Sequence, residues 1–170
     1  MELCYDLRMN IKTISIETAT PRIVQWSEKY AVGIECIDKQ HMELVRLTNQ
    51  LYKACVARTV ELDSIFKESM SKMVEYVKFH FSTELKLLES INYPDYQEHK
   101  NQHDQLVKEI LIAVKEFGEG HKFVPNKFVR TLEDWVFGHI AFYDQQYALY
   151  VKDQKKKGLL SDDKLICSIG

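Results

Sequence analysis

The sequence predicts an all-α fold: an up-down-up-down antiparallel four-helix bundle with an N-terminal arm and a short C-terminal tail. Three observations carry that expectation. Only six glycines and three prolines punctuate 170 residues, and the stretches between them are rich in Leu, Glu, Lys and Gln, which favour helix. Four segments keep alternating three- and four-residue apolar steps, the spacing that lays a seam along one face of a helix. The connections between them, at about 58–63, 92–94 and 118–126, are short, as antiparallel neighbours require.

Taken in order, residues 1–25 show no helical period and form the arm, in which Ile11, Ile14 and Ile16 suit a short extended piece. Trp26 to Gly33 reads as an aromatic-anchored lead-in. The first helix carries the seam Ile37, His41, Leu44, Thr48, Leu51 and Cys55. The second carries Phe66, Met70, Met73, Val77, His80, Glu84, Leu87 and Ile91. Asn92, Tyr93 and Pro94 then turn the chain, since the residue before proline avoids the helical region and proline suits a helix start. The third seam is Tyr96, His99, His103, Leu106, Ile110, Ala113 and Phe117. The fourth is Phe128, Leu132, Trp135, His139, Phe142, Gln146 and Leu149. Lys155 to Lys157 close the last helix, where positive charge complements the helix dipole. The bundle is thus expected over 26–155 and the tail over 156–170.

Charge is nearly balanced, 23 basic against 25 acidic residues, which does not suggest a nucleic-acid surface. No segment approaches the roughly 20 apolar residues of a membrane span, and the N-terminus lacks the uninterrupted apolar run of a secretory signal. Cys4, Cys36, Cys55 and Cys167 lie far apart with no C-x-x-C pair. That spacing argues against a disulfide framework and suits a reducing cytoplasm. Cys36 and Cys55 read as small buried residues, and Cys4 and Cys167 as tail thiols.

The chemistry concentrates between His80 and His103. His80-x-x-x-Glu84 and His99-x-x-x-His103 each place two ligand-type side chains one turn apart on one helix face. Superposing these residues on the seams shows that His41, His80, Glu84, His99, His103 and His139 all occupy core-facing positions. Burying six polar groups without partners would cost roughly 1–3 kcal/mol each, and more for an ionised glutamate. A domain stable by only ~5–15 kcal/mol cannot absorb that easily. Imidazoles with a carboxylate are transition-metal ligands.

Five imidazoles exceed what one tetrahedral zinc uses and suit two ions sharing bridges. Asp144 is the obvious second carboxylate, but it stands five residues after His139, about 140° around an ideal helix. A π-bulge between His139 and Asp144 would bring it back toward the seam.

Further pieces carry a resemblance: Trp26 with Tyr30-Ala31-Val32-Gly33-Ile34, then Ile37-Asp38-Lys39-Gln40-His41, and His80-Phe81-x-x-Glu84. Tyr93-Pro94 before His99-x-x-x-His103, and Trp135-x-x-x-His139-Ile140-x-x-x-Asp144, complete it. Over about Trp26 to Tyr150 the chain resembles the bacterial hemerythrins of the hemerythrin HHE cation-binding family. The resemblance implies two iron ions in a non-haem, oxo- or hydroxo-bridged di-iron site. One iron would take His99, His103 and His139, the other His41 and His80, with Glu84 and Asp144 bridging. Counting ligands leaves one position open, on the His41/His80 iron, for dioxygen. Leu44, Phe81, Trp135 and Val136 would line its apolar pocket, and a dry pocket suppresses proton leakage.

The function so implied is reversible dioxygen binding for storage, delivery or sensing, by a protein that is not an enzyme. A different class is a di-iron enzyme acting on peroxide or nitric oxide. Oxygen-activating di-iron bundles typically use a Glu-x-x-His spacing and mostly carboxylate ligands, so five imidazoles fit binding better. A third class is an iron- or oxygen-sensing signalling module with a separate partner. No protein partner is identified by the sequence.

Overall fold

A computed structural model describes residues 25–56, 62–121 and 124–167. The arm expected over 1–25 therefore lies outside the described residues, Gln25 excepted. Four rods form the bundle: α1 (Glu35–Val56), α2 (Leu62–Ser90), α3 (Tyr96–Gly118), and a fourth made of α4 (Val124–Gly138), a π turn (His139–Tyr143) and α5 (Asp144–Lys156). Single 3-10 turns lie at Glu28–Tyr30 and Asp162–Leu165.

The seams of the first three rods turn inward as their spacing requires. Ile37, Leu44, Leu51, Phe66, Met73 and Leu106 are among the fully buried side chains. The lead-in is fixed by Asp38, whose two carboxylate oxygens accept from the Val32 and Gly33 N–H groups at 2.7 and 3.1 Å. Gly33 sits at φ +75, a left-handed conformation that favours glycine. Asn92 ends α2 in the same region, at φ 53. The Tyr93 N–H returns to the Leu88 carbonyl and the Asn92 N–H to that of Glu89, a Schellman closure that satisfies two end carbonyls and leads into Pro94.

Apolar packing separates into two ends with the histidines between. At one end Leu44, Leu51, Phe66, Met73, Leu106 and Phe128 pack together. At the other, Ile37, Leu87, Leu88, Tyr93, Tyr147 and Val151 do so. Along every rod the ligand-type residues fall between a contribution to one end and a contribution to the other.

The fourth rod departs from the regular seam. The Asp144 N–H bonds to the His139 carbonyl, five residues back, so one extra residue is accommodated in that turn. Beyond it, the inward positions are Asp144, Tyr147 and Val151. Phe142 and Leu149, expected on the seam, are 62% and 67% exposed, and Gln146 is exposed too. The correction follows from the π turn, which rephases everything after it.

The cysteine expectation also needs correction. Cys36 and Cys167 form a disulfide across 131 residues, with Cα atoms 6.1 Å apart. Gly158, at φ 69, ends α5 and turns the tail back. Leu165 then enters the apolar cluster beside Ile37 and Tyr147, which brings Cys167 to the start of α1. Contact between residues so distant in sequence arises only from the folded path.

Deleting Phe142 should therefore be mild. It turns the π turn into a regular one and leaves Asp144, Tyr147 and Val151 facing inward. We expect a loss of no more than ~1 kcal/mol, or about 3 °C in Tm. Deleting Gln105, exposed on a regular stretch of α3, should cost ~3 kcal/mol or more, because Leu106 and Ile110 rotate out of the core. Thermal melts followed by far-UV circular dichroism compare the two. Equal losses would contradict the rephasing account.

Candidate metal centre

All seven candidate ligands meet in the buried layer between the two apolar ends. His41, His80, Glu84 and Asp144 have no measurable exposure, and His99, His103 and His139 are nearly as enclosed. α1 contributes His41, α2 contributes His80 and Glu84, α3 contributes His99 and His103, and the fourth rod contributes His139 and Asp144.

The donor atoms form two groups that share one carboxylate: Glu84 with His99, His103 and His139, and Glu84 with His41 and His80. Glu84 Oε2 lies 3.1 Å from His103 Nε2, 3.2 Å from His99 Nε2 and 3.8 Å from His80 Nε2. Its Oε1 lies 3.9 Å from His41 Nε2. Asp144 spans the same gap. Its Oδ1 is 3.1 Å from His139 Nε2 and 3.6 Å from His99 Nε2, and its Oδ2 is 3.3 Å from His41 Nε2. The π turn is what allows this, since on a straight helix the carboxylate would point about 140° away from His139.

Two side chains outside the candidate set hold the ligands in place. The Tyr147 hydroxyl donates to Glu84 Oε1 at 2.6 Å. Gln40, buried beside His41, places its Oε1 3.0 Å from His80 Nδ1. That oxygen is an acceptor, so His80 carries its proton on Nδ1 and turns the Nε2 lone pair toward the cluster. Gln40 is legible as the residue before His41. Tyr147 is hidden until the extra residue of the π turn is counted.

Several of these atoms find no hydrogen bond. His41 Nδ1 and Nε2, His80 Nε2, His103 Nδ1, His139 Nδ1 and both Asp144 oxygens, seven atoms in all, are buried without one. At ~1–3 kcal/mol each, the penalty rivals the whole stability of a domain. Nε2 atoms of His103 and His139 face each other at 3.0 Å. Lone pairs converging with carboxylates on a common point are stabilised by a cation, and the donor set fits iron or another transition metal.

The protein's own field prepares the imidazoles for that role. Burial lowers His41 well below 6.5, His80 and His103 to about 4, and His139 to about 3. They are therefore neutral, with lone pairs free, at neutral pH. Burial pushes the Glu84 carboxyl up, but the electrostatic pull of neighbouring His80 and hydrogen bonds with His103 and His99 prevail and hold it well below the usual range. Burial and the Glu84 charge push Asp144 well up. His99 is raised: burial opposes its charge, and Glu84 outweighs burial.

Of the expected pocket residues, Phe81 stacks on His103 with ring centroids 3.6 Å apart, and Trp135 stacks on His139 at 4.2 Å. Leu44 packs in the same apolar end as Phe81, with half-buried Trp135 against it. Val136 packs with Val45 and Ile140 in a small cluster against which Trp26, Tyr30 and Trp135 lie.

Fold and site together define a metal-binding four-helix bundle. The model of the hemerythrin HHE cation binding domain matches residues 32–150, and the chain belongs to that family. A bacteriohemerythrin of Stenotrophomonas maltophilia is 30% identical over 130 residues, covering 76% of this chain and 82% of that protein. A hemerythrin-like protein of Naegleria gruberi is 25% identical, covering 76% and 95%. A crystal structure of wild-type hemerythrin superposes with a TM-score of 0.68 at 26% identity, covering 75% of this chain and 97% of that one.

Tyr147→Phe keeps the ring and removes the donor to a buried carboxylate. We expect a loss of ~1.5–3 kcal/mol, read from urea denaturation; a change below ~0.5 kcal/mol would mean that the bond does not hold Glu84. Acid should weaken the chelator-treated protein. Unfolded, the imidazoles of His41, His80, His103 and His139 titrate near 6.5; folded, they titrate lower. Their contribution is complete above pH 6.5 and is lost as pH falls toward about 4. Asp144 and His99, both raised, act in the opposite sense but are two groups against four. Tm measured from pH 8 to pH 4 should fall below pH 6.5.

Proposed function

We propose that this chain binds dioxygen reversibly at a pair of non-haem irons, as a store, carrier or sensor of oxygen. The observation that supports this is the inequality of the two donor groups. Glu84 and Asp144 reach toward both, but one group has three imidazoles and the other has two. With both carboxylates and one solvent-derived bridge counted to each iron, the His41/His80 side is one ligand short of six. Iron in such a site supplies two electrons and a vacant coordination position for dioxygen.

The surrounding residues suit binding without turnover. Tyr147 fixes Glu84, and Gln40 orients His80. Phe81, Leu44 and Trp135 cover the imidazoles with apolar surface that excludes water. Tyr147 has its proton committed to Glu84, and among the three covering residues only the Trp135 indole carries a polar hydrogen. Few protons are therefore at hand to drive a bound gas onward to product.

Metal analysis of the purified protein should find about two irons per chain. The fully reduced protein, mixed with oxygen, should give a coloured species that bleaches under vacuum and returns on re-aeration. Rapid turnover with release of peroxide would overturn the proposal in favour of an enzyme. His103→Ala should lose iron and melt lower, because metal binding and folding are coupled; undiminished iron in that variant would refute the ligand assignment.

A further inference from the structure

The C-terminal segment after α5 folds back as a strap over the bundle end that contains Tyr147. It is held by Leu165 in the apolar cluster with half-buried Leu160 packed against it, by Lys155 Nζ against Asp162 Oδ1 at 2.5 Å, and by the Cys36–Cys167 disulfide. Between strap and α2 lies an open cleft of about 230 Å3, with Thr83, Lys86, Ser90, Lys164 and Cys167 on its walls. Cys167 therefore presents the disulfide to the cleft, whereas Cys36 is not among its lining residues.

The cleft has a definite chemistry. Neither Lys86 nor Lys164 makes a salt bridge to another described residue, so both ammonium groups are available to carboxylates; Asp163 is the acidic neighbour that feels Lys164. Glu35, beside Cys36, is held by Lys39 at 2.6 Å. The two hydroxyls already donate, Thr83 to the Phe79 carbonyl and Ser90 to that of Leu87, so they offer only lone pairs to a ligand. The matching ligand carries carboxylates for the lysines and N–H groups for the hydroxyl oxygens. If it also bears a thiol, it meets a disulfide within the same cleft.

We propose that this cleft is a thiol–disulfide exchange site for a small anionic peptide thiol, and that the exchange unlatches the strap. The incoming thiolate attacks Cys167 Sγ. The Sγ–Sγ bond breaks, a mixed disulfide forms on Cys167, and the Cys36 thiolate leaves and takes a proton from water. A second thiol then attacks the mixed disulfide, releasing the small-molecule disulfide and a Cys167 thiolate, which is protonated in turn. Overall two small thiols are oxidised and one protein disulfide is reduced to two thiols. The strap is left with buried Leu165, half-buried Leu160 and one surface ion pair, against a chain closure that spanned 131 residues.

The test needs no metal, so its outcome is separate from that of the oxygen-binding proposal. Protein isolated without reductant and alkylated should yield the Cys36–Cys167 peptide pair by mass spectrometry. Its reduction is then timed with glutathione, neutral 2-mercaptoethanol and cationic cysteamine, at equal thiolate concentration. Glutathione should lead the neutral thiol by about fivefold, the scale of two partly screened charges, and its adduct should appear on Cys167. The double variant Lys86→Ala/Lys164→Ala should abolish that lead and leave the 2-mercaptoethanol rate within about twofold. Trypsin should cut after Lys164 on reduction, and in Cys167→Ser without any reductant. Free Cys36 and Cys167 in the isolated protein, equal rates for the three thiols, or adducts on Cys36 would overturn the proposal.

Discussion

Glu84 is the constraint around which the rest of the molecule is arranged. It is a carboxylate with no exposed surface, within 4.8 Å of imidazole nitrogens from all four rods and bonded to one phenol. Removing such a group from water costs several kcal/mol, and the loss is recovered only if every lone pair finds a partner in good geometry. Tyr147 serves one oxygen and His99 and His103 the other. The four helices must therefore meet in one register, because a slip of a residue in any rod leaves a buried charge short of a partner. The apolar ends supply the drive to assemble, and the polar layer selects which assembly is tolerated.

The π turn resolves a conflict that a regular helix cannot. His139 and Asp144 must face the same point, yet five α-helical residues separate them by about 140°. Widening one turn brings Asp144 inward, at the price of shifting the apolar stripe beyond it. The chain accommodates that shift: Tyr147 and Val151 are large and fill the core, while Phe142 and Leu149 are left outside. Two exposed large apolar residues are the visible residue of the compromise.

This also explains what the sequence could and could not reveal. The first three rods were legible because a constant step places a stripe on one face and His41, His80, Glu84, His99 and His103 lie on it. Even Asp144 was legible as a problem, since five imidazoles call for a second carboxylate and its phase was wrong for a straight helix. The residues after it were not, because extrapolating the old step points to Gln146 and Leu149, and only a local change in pitch points to Tyr147. The Cys36–Cys167 pair was invisible because no periodicity links a tail to the start of α1.

The two ends of the core are closed by different means, and that difference bears on where the molecule can open. The end built on Phe66 and Phe128 is packed from residues within the helices themselves, with aromatic rings in edge contact. The Tyr147 end depends on Leu165, a residue from beyond the last helix, and on the linkage that keeps it there. Segments with few buried contacts open at lower free energy than the core they cover. Opening at the strap would expose Tyr147 and, through its hydroxyl, the side of Glu84 that faces His41. The bundle end that is least well sealed by its own helices thus carries Tyr147, which bonds to the carboxylate shared by both donor groups and lies with its ring 5.6 Å from that of His99, so the covering of that end bears on the dryness of the whole centre.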